Sequence, residues 1–302
     1  MEFHQLRYFC AIAESGGFSR AARLTHVSQP SLSQQIHKLE EELGARLFDR
    51  IGRTVRLTEV GRAFLPRARA LLSDLEAARS TVVEGGTSIT GSVCVGVIPT
   101  IAPYFLPPLL ATFSRRYPQA RVTVVEEITP LLLERMRTGA VDVAVVAVPL
   151  QMRGHEFQSF PLIEEKLYAA LPKQHKLAKR RRITLGELQD EPFLLLRDGH
   201  CFRETAVAAC KRARVQPKII FESGQFSSIL SMVCAGLGVS IIPAMALEKR
   251  NGCHFVPLAD GRATRAIGAV TLNGRSLSRA QQAFLSHLTA TTIADSPTHL
   301  KH

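Results

Sequence analysis

No stretch of this 302-residue chain holds eighteen or more consecutive apolar residues, so nothing in it is built to cross a bilayer as a helix. The six cysteines, at positions 10, 94, 201, 210, 234 and 253, contain no CxxC pair and no zinc-like spacing, which excludes a cysteine metal site. No other metal or cofactor is expected. The opening residues MEFHQLRYFC lack a basic segment, an apolar run and a small-residue cleavage site, so export is not expected and a cytoplasmic protein is. In that reducing compartment a static disulfide framework is not expected either. Internal repeats and low-complexity segments are absent, which excludes a repeat array.

What is present fits a soluble globular protein, 46% hydrophobic and 21% charged. The length calls for two or three domains. A formal charge of +12 favours a polyanionic partner, because lysine and arginine release counterions from phosphates. The excess does not single out the N-terminus: residues 1–58 carry eight Lys/Arg against six Asp/Glu. The densest basic run, Lys176 to Arg182 (KLAKRRR), reads as a solvated loop rather than a nucleic-acid site. Cys10, Cys94 and Cys234 sit among apolar neighbours and read as small buried hydrophobes, while Cys253 carries no signal.

The first sixty residues alternate short helices with turn signals. Leu6, Phe9, Cys10 and Ala13 recur at helical spacing up to Gly16-Gly17, and a second helix follows from about Phe18 to Leu24. Ser28 is a candidate N-cap for a third helix that opens on Pro30 and Leu32 and runs to about Leu43 before Gly44. Three helices so spaced make a helix-turn-helix. Two extended stretches around Ile51-Gly52-Arg53 add a wing. In that architecture the N-terminal turn of the third helix enters the major groove, which makes Gln29, Pro30, Ser31, Ser33 and Gln34 the candidate base and phosphate contacts, with Arg50, Arg53 and Arg56 on the wing. Any one of them, taken singly, is equally an exposed position with no partner.

From Thr58, an N-cap, Val60, Phe64, Leu71, Leu72 and Leu75 define a helix of about 25 residues, too long for the small domain alone. It reads as a linker that pairs with a second copy, or else as a helix lying on its own chain. EGGTSITG, residues 84–91, breaks the pattern. The expected boundaries are 1–58 for the winged domain, 59–90 for linker and hinge, and 91–302 for the remainder. Beyond Gly91, β-branched runs such as SVCVGVI, RVTVVEE, VDVAVVAV and KIIFE alternate with helical stretches, which predicts an α/β domain with mostly parallel sheets. About 200 residues suffice for two lobes, lobe 1 from 91–161 and 267–302 and lobe 2 from 162–266. Ligands in such folds bind beyond the carboxyl ends of strands, which nominates Thr100 and Thr129, although either threonine is also a plain helix cap.

The N-terminal pattern of AARL, SQPSLSQQIHKLEEELGARLFDR and TEVG resembles the LysR-type transcriptional regulators. That resemblance implies a dimerising linker helix and a two-lobed effector domain like the periplasmic binding proteins. It also implies a dimer-of-dimers on double-stranded promoter DNA, with RNA polymerase as a further contact and no enzymatic role.

The segment FLLLRDGHCFRETAVAAC carries the chemistry of the second half. Cys201 opens a helical run, so the helix dipole and nearby Arg203 are expected to favour the thiolate. Cys210, nine residues on, falls on the opposite face about 13 Å along the axis, so a disulfide demands that the helix unwind. The bland alternative has Cys201 capping a pocket and Cys210 filling the core. The segment, together with GVIPTIAPYFLPPLL, Thr129 and Arg265, is similar to the OxyR-type hydrogen-peroxide sensors, a subgroup of that family. The resemblance makes Cys201 the peroxide-reactive thiol and Cys210 its resolving partner. His200, Thr100 and Thr129 become the orienting groups and Arg265 the electrostatic support. A noncovalent small-molecule effector in the same cleft is the rival. A thiol peroxidase and an exported solute-binding protein are weaker alternatives, opposed respectively by the helix-turn-helix and the missing export signal.

Overall fold

The computed structural model describes residues 1–51, 54–82, 89–150, 155–248, 251–261 and 263–294. Helices α1 (Phe3–Ser15), α2 (Phe18–Leu24) and α3 (Gln29–Leu43) form the N-terminal bundle, and strands β1 (Phe48–Ile51) and β2 (Thr54–Leu57) pair antiparallel as the wing. The caps are those the sequence implies. Gly16 and Gly44 close α1 and α3 in the left-handed region, and the Ser28 hydroxyl accepts from the Ser31 amide at 3.3 Å. Leu6, Phe9, Leu32, Ile36 and Leu39 fill the core, and the ring of Phe9 meets those of Phe48 and Phe64 at 5.3 Å each. The carboxylate of Glu40 accepts from the amides of Leu47 (2.7 Å) and Phe48 (3.2 Å), tying α3 to the start of the wing.

Helix α4 (Glu59–Val82) opens on Thr58, whose hydroxyl accepts from the Gly61 amide at 2.9 Å. Gly61 is obligatory: a Cβ there would lie 2.1 Å from the Leu47 carbonyl oxygen. The first half of α4 packs on its own domain through Phe64, Leu65 and buried Ala68. Val60 and Leu71 remain 49% and 42% exposed, an apolar stripe that no described residue of the chain covers fully.

The rest of the chain has two cores. In the first, parallel strands β3 (Gly91–Val97), β4 (Ala120–Glu126) and β5 (Val143–Val148) pack against α5 (Ala102–Arg116), α6 (Thr129–Arg137) and the C-terminal α9 (Arg279–Ala294). The second surrounds the parallel pair β7 (Pro192–Leu196) and β8 (Lys218–Ser223), helices α7 (Cys201–Arg212) and α8 (Phe226–Cys234), and strands β9 (Ser240–Pro243) and β10 (Cys253–Pro257). Two long strands join them, β6 (Phe157–Pro172) and β11 (Thr264–Leu272), antiparallel to one another and to β5, β9 and β10.

The sheets are therefore mixed rather than mostly parallel. Period-two patterning marks a strand but not its direction, and the strands crossing between lobes reverse it. The residues from Phe157 to Glu164 contribute the first half of β6. The basic run Lys176 to Arg182 is a surface loop, with Lys176 paired to Glu191 and Arg180 to Glu187. Cys10 and Cys253 are buried, whereas Cys94 and Cys234 are half-buried and so only partly shielded. No described helix is long and apolar enough to cross a membrane.

Candidate functional site

Cys201 is the first residue of α7, preceded by the turn Asp198-Gly199-His200. Gly199 adopts φ +90°, a conformation that side chains strain, and so brings the chain abruptly from the end of β7 into the helix. The Cys201 side chain packs against the first core, whereas Cys210, at the other end of the same helix, is fully buried in the second. The two thiols thus sit on one helix of the second lobe, with Cys201 turned against the first core and Cys210 into the second. Along a continuous helix they stand about 13.5 Å apart, beyond the roughly 7 Å between Cα atoms that a disulfide spans.

Cys201 opens onto a cavity of about 660 Å³ between the lobes, walled by the start of α6, the end of β5, one face of α7 and β11. Thr129, Cys201 and Arg265 all line it. Thr100 and His200 do not, although both are buried beside it in sequence or in contact. Thr100 lies behind Arg265 and accepts a hydrogen bond from its Nη1 at 2.9 Å. The His200 Nε2 and the Thr129 hydroxyl are buried without a hydrogen-bond partner. Thr129 is close enough to favour ionisation of Cys201 without closing a hydrogen bond of ordinary geometry. Burial, then the charge of Arg197, holds the His200 imidazole below its usual value, so it is neutral at pH 7.

Arg265 is the electrostatic centre. It stands directly opposite Glu165 in the β6–β11 ladder and donates to one carboxylate oxygen from Nε at 2.7 Å and Nη2 at 2.5 Å. The other oxygen of Glu165 accepts from the Met245 amide at 2.9 Å, and the Arg265 guanidinium lies 5.0 Å above the Phe202 ring. A charge buried this deeply must be paired and hydrogen-bonded, and here it is on every side. Glu165 escaped the sequence reading, although a signal was there: it lies in phase with buried Leu167 and Ala169 on an alternating strand.

The expectation that Arg203 would favour the Cys201 thiolate needs correction, although Cys201 does open α7 as expected. Arg203 turns away, to Asp198 at 2.6 Å, the Leu196 carbonyl at 3.0 Å and Glu222. Residues two apart on a helix do not face one another. Burial pushes the Cys201 thiol above its usual value of 9.0, against the opposing pull of Arg265, Thr129 and the Ala147 backbone. Cys210 is pushed up to about 11, by burial first and Asp260 second.

On the N-terminal domain, Gln29, Pro30, Ser31 and Gln34 lie exposed along the first turns of α3, with Ser33 half-buried between them. The Ser19 hydroxyl of α2 donates to the Gln29 amide oxygen at 2.9 Å and orients it. Arg56 is exposed on β2, opposite Asp49. Arg50 lies on the backbone of β1 opposite Val55, with its side chain outside the described set, and Arg53 falls outside the described residues altogether.

Two family descriptions match: a bacterial regulatory helix-turn-helix protein of the lysR family over residues 3–62, and a LysR substrate binding domain over residues 86–292. The DNA-binding transcriptional dual regulator OxyR of Escherichia coli K12 is 33% identical over 280 residues, covering 92% of this chain and 91% of its own length. A full-length OxyR cysteine variant from Pseudomonas aeruginosa superposes with a TM-score of 0.80 at 30% identity, covering 95% of this chain and 94% of its own. A hydrogen-peroxide-bound OxyR cysteine mutant from Corynebacterium glutamicum superposes at 0.61 with 32% identity, covering 99% and 98%. With a reading head at one end, a two-lobed domain around a shared cavity at the other, and both halves matched, this chain belongs to the LysR family of transcriptional regulators.

Proposed function

We propose that this regulator senses hydrogen peroxide through reversible oxidation of Cys201 with Cys210, in the cytoplasm, and transmits the change to promoter DNA as a dimer-based assembly. The observation that carries it is the wall of the inter-lobe cavity. A thiol, a buried hydroxyl with an unused hydrogen-bonding position and an arginine face one space, on a helix whose far end holds a second thiol.

The Cys201 thiolate sulfur attacks one peroxide oxygen, the O–O bond breaks, and hydroxide leaves and takes up the proton released by the thiol. Cys201 becomes a sulfenic acid and one water is formed. The Cys210 thiol then attacks that sulfur, expels a second water and closes the disulfide. Two thiols have supplied two electrons, and the peroxide has become two waters. Thr129 and Arg265 would hold the peroxide and the developing negative charge, with Thr100 fixing Arg265 and neutral His200 offering a further hydrogen bond. A single oxidation per switching event suffices, so the role needs no turnover.

Closing the disulfide has to unwind α7 and withdraw Cys210 from the second core, which couples oxidation to the arrangement of the lobes. The exposed apolar stripe of α4, with Val60 and Leu71, supports pairing with a second copy. Two winged domains then present Gln29, Pro30, Ser31, Ser33 and Gln34 to successive major grooves, with Arg50, Arg53 and Arg56 against the backbone. The test is mass spectrometry of the alkylated protein after low peroxide, alongside promoter binding. A Cys201–Cys210 disulfide with altered promoter binding is expected. Absence of the disulfide, with unchanged binding, refutes the assignment.

A further inference from the structure

The cavity in front of Cys201 is far larger than the molecule that reaction consumes. It measures about 660 Å³, whereas two water-sized oxygens need roughly 60 Å³. Most of the surplus is apolar. Beyond Thr129 and Arg265 the walls include Pro130, Leu133, Val148, Leu150 and Ala208, with Arg137, Glu204, Thr205 and Arg212 among the polar members. Hydrogen peroxide gains nothing from such walls, because only apolar surface gains by leaving water for them. The charged groups at the cavity do not call for an anion either. Arg137 is already held by Glu156 at 2.6 and 3.0 Å and by Glu134 at 3.1 Å, Arg212 is also engaged by a partner, and Glu204 adds a negative charge to the wall.

We propose that this cavity admits uncharged organic hydroperoxides, with the hydroperoxy group at Cys201 and the hydrocarbon body along Leu133, Val148, Leu150 and Ala208. The proposal rests on Cys201 being the peroxide-reactive thiol. The Cys201 sulfur bonds to the terminal, hydrogen-bearing oxygen and the O–O bond breaks. The alkoxide leaves with the electron pair and takes the thiol's proton to become an alcohol. Cys210 then displaces water from the sulfenic acid, so the two thiols again supply two electrons. Because the cavity is walled by both lobes, the hydrocarbon body also touches both while the sulfur reacts.

The experiment measures Cys201 oxidation in the full-length reduced protein by hydrogen peroxide and by cumene hydroperoxide, each rate divided by that of the same oxidant with free cysteine. The normalised cumene hydroperoxide rate is expected to equal or exceed that of hydrogen peroxide. Ala208→Phe, which fills the cavity from α7, is expected to lower the cumene-to-hydrogen-peroxide ratio about tenfold. Leu150→Phe at the opposite wall repeats the measurement should the first variant not fold. Oxidation by hydrogen peroxide alone overturns this inference and leaves the peroxide-sensing assignment standing. A cumene hydroperoxide rate that neither substitution changes also overturns it. Oxidation by neither compound removes the assignment beneath it, and cumene hydroperoxide binding without oxidation points instead to a noncovalent effector.

Discussion

If oxidation must unwind α7, then weakening that helix should make the disulfide easier to form, by an amount the geometry fixes. Ala208 sits inside α7, half-buried at the cavity wall, between the two cysteines. Ala208→Gly costs about 1 kcal/mol in the helical, reduced form, since glycine is the poorest helix former after proline. The oxidised form, already unwound there, does not feel that cost. Its relative stability rises by the same amount, and for a two-electron couple 1.4 kcal/mol corresponds to about 30 mV, so the midpoint potential should fall by about 20 mV. At a fixed glutathione poise the ratio of oxidised to reduced protein should rise about fivefold. The assay equilibrates the protein across glutathione redox buffers, traps free thiols by alkylation and counts them by mass. Ala111→Gly, at an exposed position of α5, serves as control: it carries the same helical cost but lies outside the segment that must open. A potential unchanged or raised in Ala208→Gly, or lowered equally in Ala111→Gly, refutes the claim that α7 melts on oxidation.

Two further outcomes follow from the buried charges. Arg265→Met leaves the Glu165 carboxylate buried without its cation and should cost roughly 3–5 kcal/mol of stability in urea unfolding, whereas Arg265→Met with Glu165→Leu should recover most of it; equal losses in the single and double variants contradict the pairing. Because the Cys201 thiol is held above 9.0, its thiolate fraction at neutral pH lies below that of a free cysteine and grows as pH rises, so stopped-flow oxidation rates should climb through pH 9; a plateau below pH 8 contradicts that environment.

The winged domain was legible because its signals are local. Ser28, Gly16, Gly44 and Thr58 each specify a helix end within a few residues, and the apolar positions keep a helical period between them. The candidate site was legible in its members but not in its wiring. Thr129, Cys201 and Arg265 line one cavity as expected, but Thr100 reaches it only through Arg265, and no spacing along the chain shows that Glu165 stands opposite a residue 100 positions later. Arg203 looked like a partner for Cys201 because they are close in sequence, yet the helix turns one away from the other. In strand β6, Pro161 and the polar residues of FQSFPLIEEK mask an extended stretch that is partly exposed at its start and buried toward its end.

That strand has a consequence for anyone dissecting the molecule. Over some 50 Å of backbone, β6 supplies Phe160 and Ile163 to the first core and Leu167 and Leu171 to the second, and it bonds to β11 along the first stretch and to β9 and β10 along the second. Neither lobe can be excised, swapped with a relative's, or melted alone without stripping hydrogen bonds from the other. Chimeras of this domain should exchange both lobes together or graft only the helices and loops that face the cavity.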